Sequence, residues 1–430
     1  MNDWKRVLLG ELYEFSSGLS KSRAEFGSGY PFLSFKNVFY NFFVPDALVE
    51  LVNSTERERE RCSIKRGDVF LTRTSETMEE LGMSCVASHD VPNGTFNGFT
   101  KRLRPKSADQ VVPEFAGYFF RSPRFREEVT AMSSMSTRAS LNNEMLARLA
   151  ITLPPLRIQS AIGGTLRALD DRIELNRRMN ETLEAMARAL FKDWFVDFGP
   201  TRAKAEHRAP YLAPELWDLF PDRLDAEGKP EGWRLSEIGK EVAVLGGGTP
   251  STKALAYWEG GHHAWATPKD LSKLSDPVLL ETDRRITDAG LAKISSGLLP
   301  IGTVLLSSRA PIGYLALAEV PVAVNQGFIA MKCEKLLSNF YVLLWCEENL
   351  DVIKNSAGGS TFAEISKKNF RPIPVLVPDE CARNAFDDLV DPMYERIAAN
   401  ARESRTLAQV RDFLLPKLMS GEIRIRPVQP

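Results

Sequence analysis

The chain is written twice. Thr137–Pro154 aligns without a gap on Thr361–Pro378, at a constant offset of 224 positions. The same offset carries Ile173 onto Ile397, Asn176 onto Asn400, Leu183 onto Leu407 and Leu190 onto Leu414. Upstream the match loosens but persists. Trp4-Lys-Arg-Val-Leu-Leu-Gly10 resembles Trp233-Arg-Leu-Ser-Glu-Ile-Gly239, and Lys65-Arg-Gly-Asp-Val-Phe-Leu71 resembles Pro300-Ile-Gly-Thr-Val-Leu-Leu306. A pattern of apolar and turn-forming positions used twice folds into two like halves.

Each half reads as a strand-rich globular part followed by a long helix. Short apolar runs such as Val69-Phe-Leu71, Gly302-Thr-Val-Leu-Leu306 and Val322-Ala-Val324 lie between Gly, Pro and Asn punctuation, as strands do. Helical patterns run from Glu114 to Phe125 and from Phe340 to Lys354. The expectation is an α+β fold: two globular domains separated by two long helices packed as an antiparallel coiled coil, with an internal two-fold repeat. The expected divisions are a first domain over 1–155, a helix over 156–198, a connector over 199–232, a second domain over 233–378 and a helix over 379–430. Pro210, Pro214, Pro221 and Pro230 interrupt any long helix in the connector, which reads as ordered or semi-rigid.

The long helices carry seams at 3–4 spacing. One runs through Leu166, Leu169, Ile173, Asn176, Asn180, Leu183 and Leu190, the other through Val390, Met393, Ile397, Asn400, Leu407 and Leu414. Such seams place apolar knobs on one face, ready for another helix. Two of them on one chain suggest residues near 157–195 packed antiparallel on residues near 380–418. The alternative is two ordinary amphipathic helices, each lying on its own domain. Asn176, Asn180, Asn400 and Ser404 fall mid-seam, where buried amides fix register at a cost in stability; solvated amides are the alternative.

Composition narrows the class. With 43% hydrophobic and 26% charged residues, the 430-residue chain resembles a soluble globular protein of two to four domains. Its opening residues lack a signal peptide's apolar stretch, and no stretch approaches the roughly 20 apolar residues of a membrane helix. Five scattered cysteines without C-x-x-C suggest reduced thiols and a cytoplasmic location. A net charge of −1 counts against a simple non-specific nucleic-acid binder, although acidic helices can mask basic faces elsewhere.

Particular motifs resemble a known family. Leu153-Pro-Pro-Leu-Arg-Ile-Gln159, Leu169-Asp-Asp-Arg-Ile-Glu-Leu-Asn176, Leu183-Glu-Ala-Met-Ala-Arg-Ala-Leu-Phe191 and Trp194-Phe-Val-Asp-Phe198 are similar to the central conserved region of Type I restriction–modification specificity subunits. Phe413-Leu-Leu-Pro-Lys-Leu-Met-Ser-Gly-Glu422 resembles the end of that family's second conserved region. Pro230-Glu-Gly-Trp233 and Gly246-Gly-Gly-Thr-Pro250 resemble the opening of its target-recognition domains, and Gly359-Ser-Thr-Phe362 a segment that closes one. The resemblance implies a subunit without chemistry of its own. Each recognition domain would read one half of a split site in double-stranded DNA, with the helix pair as a ruler for the unread spacer. Two methyltransferase subunits would dock on the chain, and restriction/translocase subunits through them. S-adenosylmethionine, ATP and magnesium would belong to those partners, with no cofactor on this chain. Rival readings are a specificity subunit of another methyltransferase–nuclease system, a stand-alone DNA-binding regulator, and a degenerate methyltransferase.

Catalytic motifs are missing from the sequence. There is no Asn-Pro-Pro-aromatic motif and no F-x-G-x-G loop. Gly246-Gly247-Gly248 lacks the following G-K-[ST] of a phosphate-binding loop and reads as a turn. His262-His263 is the only histidine pair, and adjacent strand residues are expected to point to opposite sides, away from joint metal ligation. Thr361-Phe-Ala-Glu364 reads as a helix capping box.

Base edges are read by Arg or Lys at guanine and by Asn or Gln at adenine. Candidates in the first half are Lys21, Arg23, Lys36, Asn37, Arg73, Thr74, Lys101, Arg102 and Arg104. In the second they are Lys253, Lys269, Arg309, Asn325 and Gln326. Arg73 and Arg309 both follow a Gly-x-Val-x-Leu strand and are expected to report on one half-site each. For any one of these residues the competing reading is a solvated surface charge.

Overall fold

The computed structural model describes residues 4–75, 80–132, 134–135, 139–358 and 363–425. Two compact units emerge, Met1–Ile173 with Thr406–Pro430, and Glu174–Arg405. The boundary falls inside both long helices, α1 (Leu156–Phe191) and α2 (Glu380–Ser420).

In the first unit, β1 (Tyr13–Ser17), β2 (Phe26–Leu33), β3 (Val69–Thr72), β4 (Thr95–Phe96) and β5 (Thr100–Pro105) form the frame. An antiparallel sheet runs in the order β1, β5, β3, Ser84–Val86. All four residues of β3 are buried, as expected of a strand covered on both faces. Beside this sheet, β2 pairs in parallel with β4, Leu33 opposite Phe96. Lys5–Leu8 pairs with Ala150–Leu153, so the first and last strands of the domain tie it closed. The core joins Tyr13, Val69, Leu71, Leu103, Phe115 and Phe125 to Ile162 and Leu166 of α1 and to Leu415 and Leu418 of α2.

The second unit repeats this frame with β6 (Ala243–Leu245), β7 (His263–Ala266), β8 (Val304–Ser308), β9 (Val322–Val324) and β10 (Phe328–Lys332). Its sheet order is β6, β10, β8, Ile312–Ala318, Val278–Leu279. Again a parallel pair, β7 with β9, stands beside it, Ala266 opposite Val324. The closing pair is Arg234–Glu237 with Pro374–Val377. The core joins Val304, Leu306, Met331, Tyr341 and Trp233 to Phe191 and Trp194, and to Phe386 and Ile397 of α2. Among the described residues, no helix is long and apolar enough to cross a membrane.

Within each unit the two long helices run antiparallel. In the first, Asp170 accepts from Arg411 (2.6 Å) and Tyr118 (2.5 Å). In the second, Asn176 Nδ2 reaches Ser404 Oγ (3.2 Å) and Asn400 Nδ2 reaches Asn180 Oδ1 (2.8 Å). The repeat maps Asn176 onto Asn400 and Asn180 onto Ser404, so these two contacts are copies of one another. The three asparagines are at most 1% exposed, which makes them seam residues rather than solvated amides. Leu166, Val390 and Ile397 are buried. Leu169, Ile173, Leu183, Leu190, Met393, Leu407 and Leu414 are half-buried. The deepest line on α1 passes instead through Ile162, Glu184, Ala187 and Phe191, because the globular parts cover a stripe wider than a two-helix seam.

Local chemistry altered several expected elements. The pattern at Glu114–Phe125 divides into Pro113–Phe119 and Pro123–Met132, since Pro123 has no N–H to continue the first helix. That at Phe340–Lys354 divides at Asn349, whose amide caps the Trp345 carbonyl (2.9 Å). Of the expected capping box at Thr361–Glu364, only Ala363 and Glu364 are described. Glu364 lies in a bridge to Arg309 and Gly358, and Ser366 caps the following helix. Thr361 and the rest of Gly359–Phe362 lie outside the described residues. In the connector, Gly199–Ala205 is helical and Phe220 packs edge-on against Trp194.

Candidate nucleic-acid interface

Each globular domain gathers four loops at one rim, and main-chain hydrogen bonds match the loops residue by residue. Leu19 N donates to Phe96 O (2.8 Å), as Gly248 N does to Val324 O (2.9 Å). Asn97 N donates to Leu33 O, as Asn325 N does to Ala266 O. In both domains the asparagine Oδ1 then turns the chain by accepting from the N–H two residues on, Phe99 (2.6 Å) or Gly327 (2.8 Å). Only glycine fits before the first contact. A Cβ on Gly18 would lie 2.3 Å from Phe96 O, and one on Gly247 1.8 Å from Val324 O. The loop after the first parallel strand opens with a capping box in each case, Ser34 with Asn37 and Thr267 with Asp270.

This matching corrects one expected equivalence. Arg73 N donates to Phe99 O and Arg73 O accepts from Leu141 N; the residue doing both jobs in the second domain is Ser308, toward Gly327 and Ile365. Arg309 therefore corresponds to Thr74, which pairs with Ser140 as Arg309 does with Glu364. A one-residue slip along extended chain turns a side chain to the other face, so Arg73 and Arg309 are not counterparts.

The candidates separate by what already holds them. Lys36 and Lys269 occupy the same exposed position, one residue before the end of the capping box. Arg23 and Lys253 are exposed, and Gln326 accepts from Thr249 (2.5 Å). Arg309 is half-exposed opposite Glu364 (3.5 Å) and lines a cleft of about 740 Å³ with Pro311, Ile312 and Lys354. Five others are engaged internally. Arg104 grips the buried Asp68 with two bonds (2.8 and 2.6 Å), which raises its already high pKa. Arg102 donates to Ser63 O (2.7 Å) and lies over the Phe96 ring, and burial lowers its pKa. Lys21 pairs with Glu58 (2.9 Å) and Glu25 (3.2 Å), which hold its ammonium more firmly charged than usual. Asn37 and Asn325 spend their Oδ1 atoms on the loops themselves.

Sequence reasoning missed the loop-forming Asn97 and its exposed neighbour Phe99 (57% exposed), because the offset between the copies drifts upstream of the gapless segment. The Asn-Gly dipeptide ahead of an aromatic was the available signal. The histidine expectation also fails. His262 precedes β7 rather than lying in its pleat, and both rings turn onto Asp288, Nε2 to Oδ1 at 3.4 Å for His262 and 2.7 Å for His263. His263 first, then His262, holds this carboxyl below its usual range. The three donor atoms lie within 4.8 Å of one another, close enough to share a cation, but Asp288 is a surface group.

A parallel pair, a buried antiparallel sheet and a four-loop rim, all made twice and joined to two long helices, describe a duplicated two-domain protein. The profile of the Type I restriction modification DNA specificity domain matches residues 1–185 and again 230–382. The chain belongs to this family, as a Type I restriction–modification specificity subunit. It is 25% identical over 473 residues to the HindI specificity subunit of Haemophilus influenzae, covering 98% of this chain and 100% of the relative. To the MjaIX specificity subunit of Methanocaldococcus jannaschii it is 26% identical over 435 residues, covering 98% and 94%. The crystal structure of the Type I system S subunit from M. genitalium shares the fold, with a TM-score of 0.61, 14% identity and 96% of each chain covered.

Proposed function

We propose that this chain is the non-catalytic reader of a Type I complex, with each recognition domain taking one half of a bipartite site in double-stranded DNA. The observation that carries the reading is the duplicated rim. Its main-chain frame is the same in both domains, while the side chains mounted on it differ at matched positions: Arg73 against Ser308, Thr74 against Arg309, Phe99 against Gly327. A shared frame with divergent side chains suits two half-sites of unlike sequence. The paired long helices are the docking element for two methyltransferase subunits, and through them for restriction/translocase subunits. S-adenosylmethionine, ATP and magnesium bind those partners. Such a chain works in the cytoplasm, beside the DNA.

Methylome sequencing with and without the gene tests this directly. A split adenine-methylated motif should vanish on deletion and return on complementation. Exchanging residues 233–378 for a relative's second domain should change one half of the motif and leave the other. A methylome unchanged by deletion, together with specific DNA binding by the isolated chain, would make the protein a stand-alone regulator instead.

A further inference from the structure

Buried positive charge without an acid beside it is costly, and proteins normally pair it. Arg104 has Asp68 and Arg102 has two carbonyls. Lys101, on the same strand β5, is only 8% exposed, and its Nζ donates to a neutral hydroxyl, Ser17 Oγ (2.9 Å). Arg73, just beyond the adjacent β3, has its Nε buried without a partner. Among the described residues no carboxylate pairs with either. Burial first, and the Arg73 charge second, push the Lys101 ammonium below the usual lysine range.

The fold does not require this pair. Arg73 is matched by Ser308, and the sheet registers match Lys101 with Ile329, since Leu71 stands opposite Lys101 where Leu306 stands opposite Ile329. The second domain thus builds the same corner from a hydroxyl and a hydrocarbon. Yet an ammonium reaches this place there too, from another element. Ser17 corresponds to Gly246, and a Cβ on Gly246 would lie 3.1 Å from Lys367 Nζ. A cation kept at one place while its source changes points to a ligand rather than to packing.

We propose that Arg73 and Lys101 form an anion seat for one backbone phosphate of the first half-site, so that Arg73 anchors the DNA instead of reading a base. The proposal rests on the reading of the chain as a DNA reader. A phosphate supplies the negative charge that the buried Lys101 ammonium and the neighbouring Arg73 guanidinium lack, whereas base edges offer only neutral acceptors.

The test replaces the pair with what the second domain carries, Arg73→Ser with Lys101→Ile, in the full chain with the subunits it is isolated with. Binding to a duplex bearing the mapped site is followed across salt concentrations, alongside thermal unfolding without DNA. Losing one phosphate contact should flatten the slope of log K against log salt by about 0.9. Affinity should fall equally for every base variant of the first half-site, and the unfolding temperature should hold or rise. A neutral methylphosphonate at one position of that half-site should weaken the wild type and leave the double variant unaffected. An unchanged salt slope overturns the seat, as does relaxed base preference at one position. If isoleucine at 101 unfolds the domain, Lys101→Met keeps the stem and is judged by the same slope. A wild type that does not prefer the mapped duplex to a scrambled one overturns the reader assignment itself, and the seat with it.

Discussion

The two recognition domains answer the same structural problem with different residues. Both brace their loops with an asparagine, a glycine pressed against a carbonyl and a capped turn, and both present a lysine at Lys36 or Lys269. Around that shared frame the first domain is crowded with cations and aromatic rings. The second is leaner, with Gly327 where Phe99 stands and Ser308 where Arg73 stands. The contrast separates parts that hold loops in place from parts that are free to specify. Main-chain bonds recur because every copy must satisfy its buried N–H and C=O groups. Rim side chains vary because nothing in the core depends on them.

The largest expected effect tests whether the two copies of the helix seam carry equal weight. Phe386 and Ile162 occupy matched positions and both are buried. Phe386→Ala should lower stability by about 3–5 kcal/mol, and Ile162→Ala by less, because the smaller side chain leaves the smaller cavity. Denaturant titration read by hydrogen exchange would resolve the two units. Equal losses would break the idea that the second unit leans harder on its aromatic cluster.

The mid-seam amides come next. Asn400→Ala removes the donor to Asn180 Oδ1 (2.8 Å) and should cost about 1–3 kcal/mol, since a buried acceptor is left unmet. Ser404, the copy of Asn180, is half-buried. Ser404→Ala should cost less, and urea midpoints showing the reverse order would argue against the amide as the register device.

Arg309 sharpens the comparison of the rims. If it reads a guanine, Arg309→Ala should reduce discrimination at one position of the second half-site by about 1–3 kcal/mol, with the first half-site untouched. Competition binding with a panel of single-base variants would show it. Uniform weakening across the panel would move Arg309 into the same anchoring role as Arg73.

A further difference between the two helices is a pH dependence. Glu184 sits where the second helix carries Ala408, and burial pushes its carboxyl up to about 7. The folded state therefore holds this proton more tightly than the unfolded chain. Below the ordinary carboxylate pKa of 4.5 both states are protonated and Glu184 costs nothing. Stability falls as pH rises from there to about 7, then levels off. Glu184→Gln should remove that decline, giving a gain over wild type at pH 8 that shrinks toward pH 4.5. Parallel stability curves for the two proteins would exclude Glu184 as its source.

From sequence alone one could read the duplication, the two long helices and the absence of catalytic motifs. Periodic apolar positions and Gly–Pro punctuation are local signals, and the gapless offset aligned Asn176 with Asn400 without any coordinates. The mid-seam asparagines were legible for that reason. What only the tertiary structure decided was the pairing of residues across loops. Arg73 and Arg309 both follow a Gly-x-Val-x-Leu strand, one two residues after its leucine and the other three, and the bonds that Arg73 N and Ser308 N donate to the Phe99 and Gly327 carbonyls fix that one-residue difference in space. Arg102 and Arg104 look like surface cations in the sequence, but Asp68 and the Ser63 carbonyl hold them inside. His262 and His263 alternate on paper and converge on Asp288 in space. Each difference has one physical cause. Charge and hydrogen-bonding groups are satisfied by whatever folding brings within about 3 Å, and sequence distance does not record that.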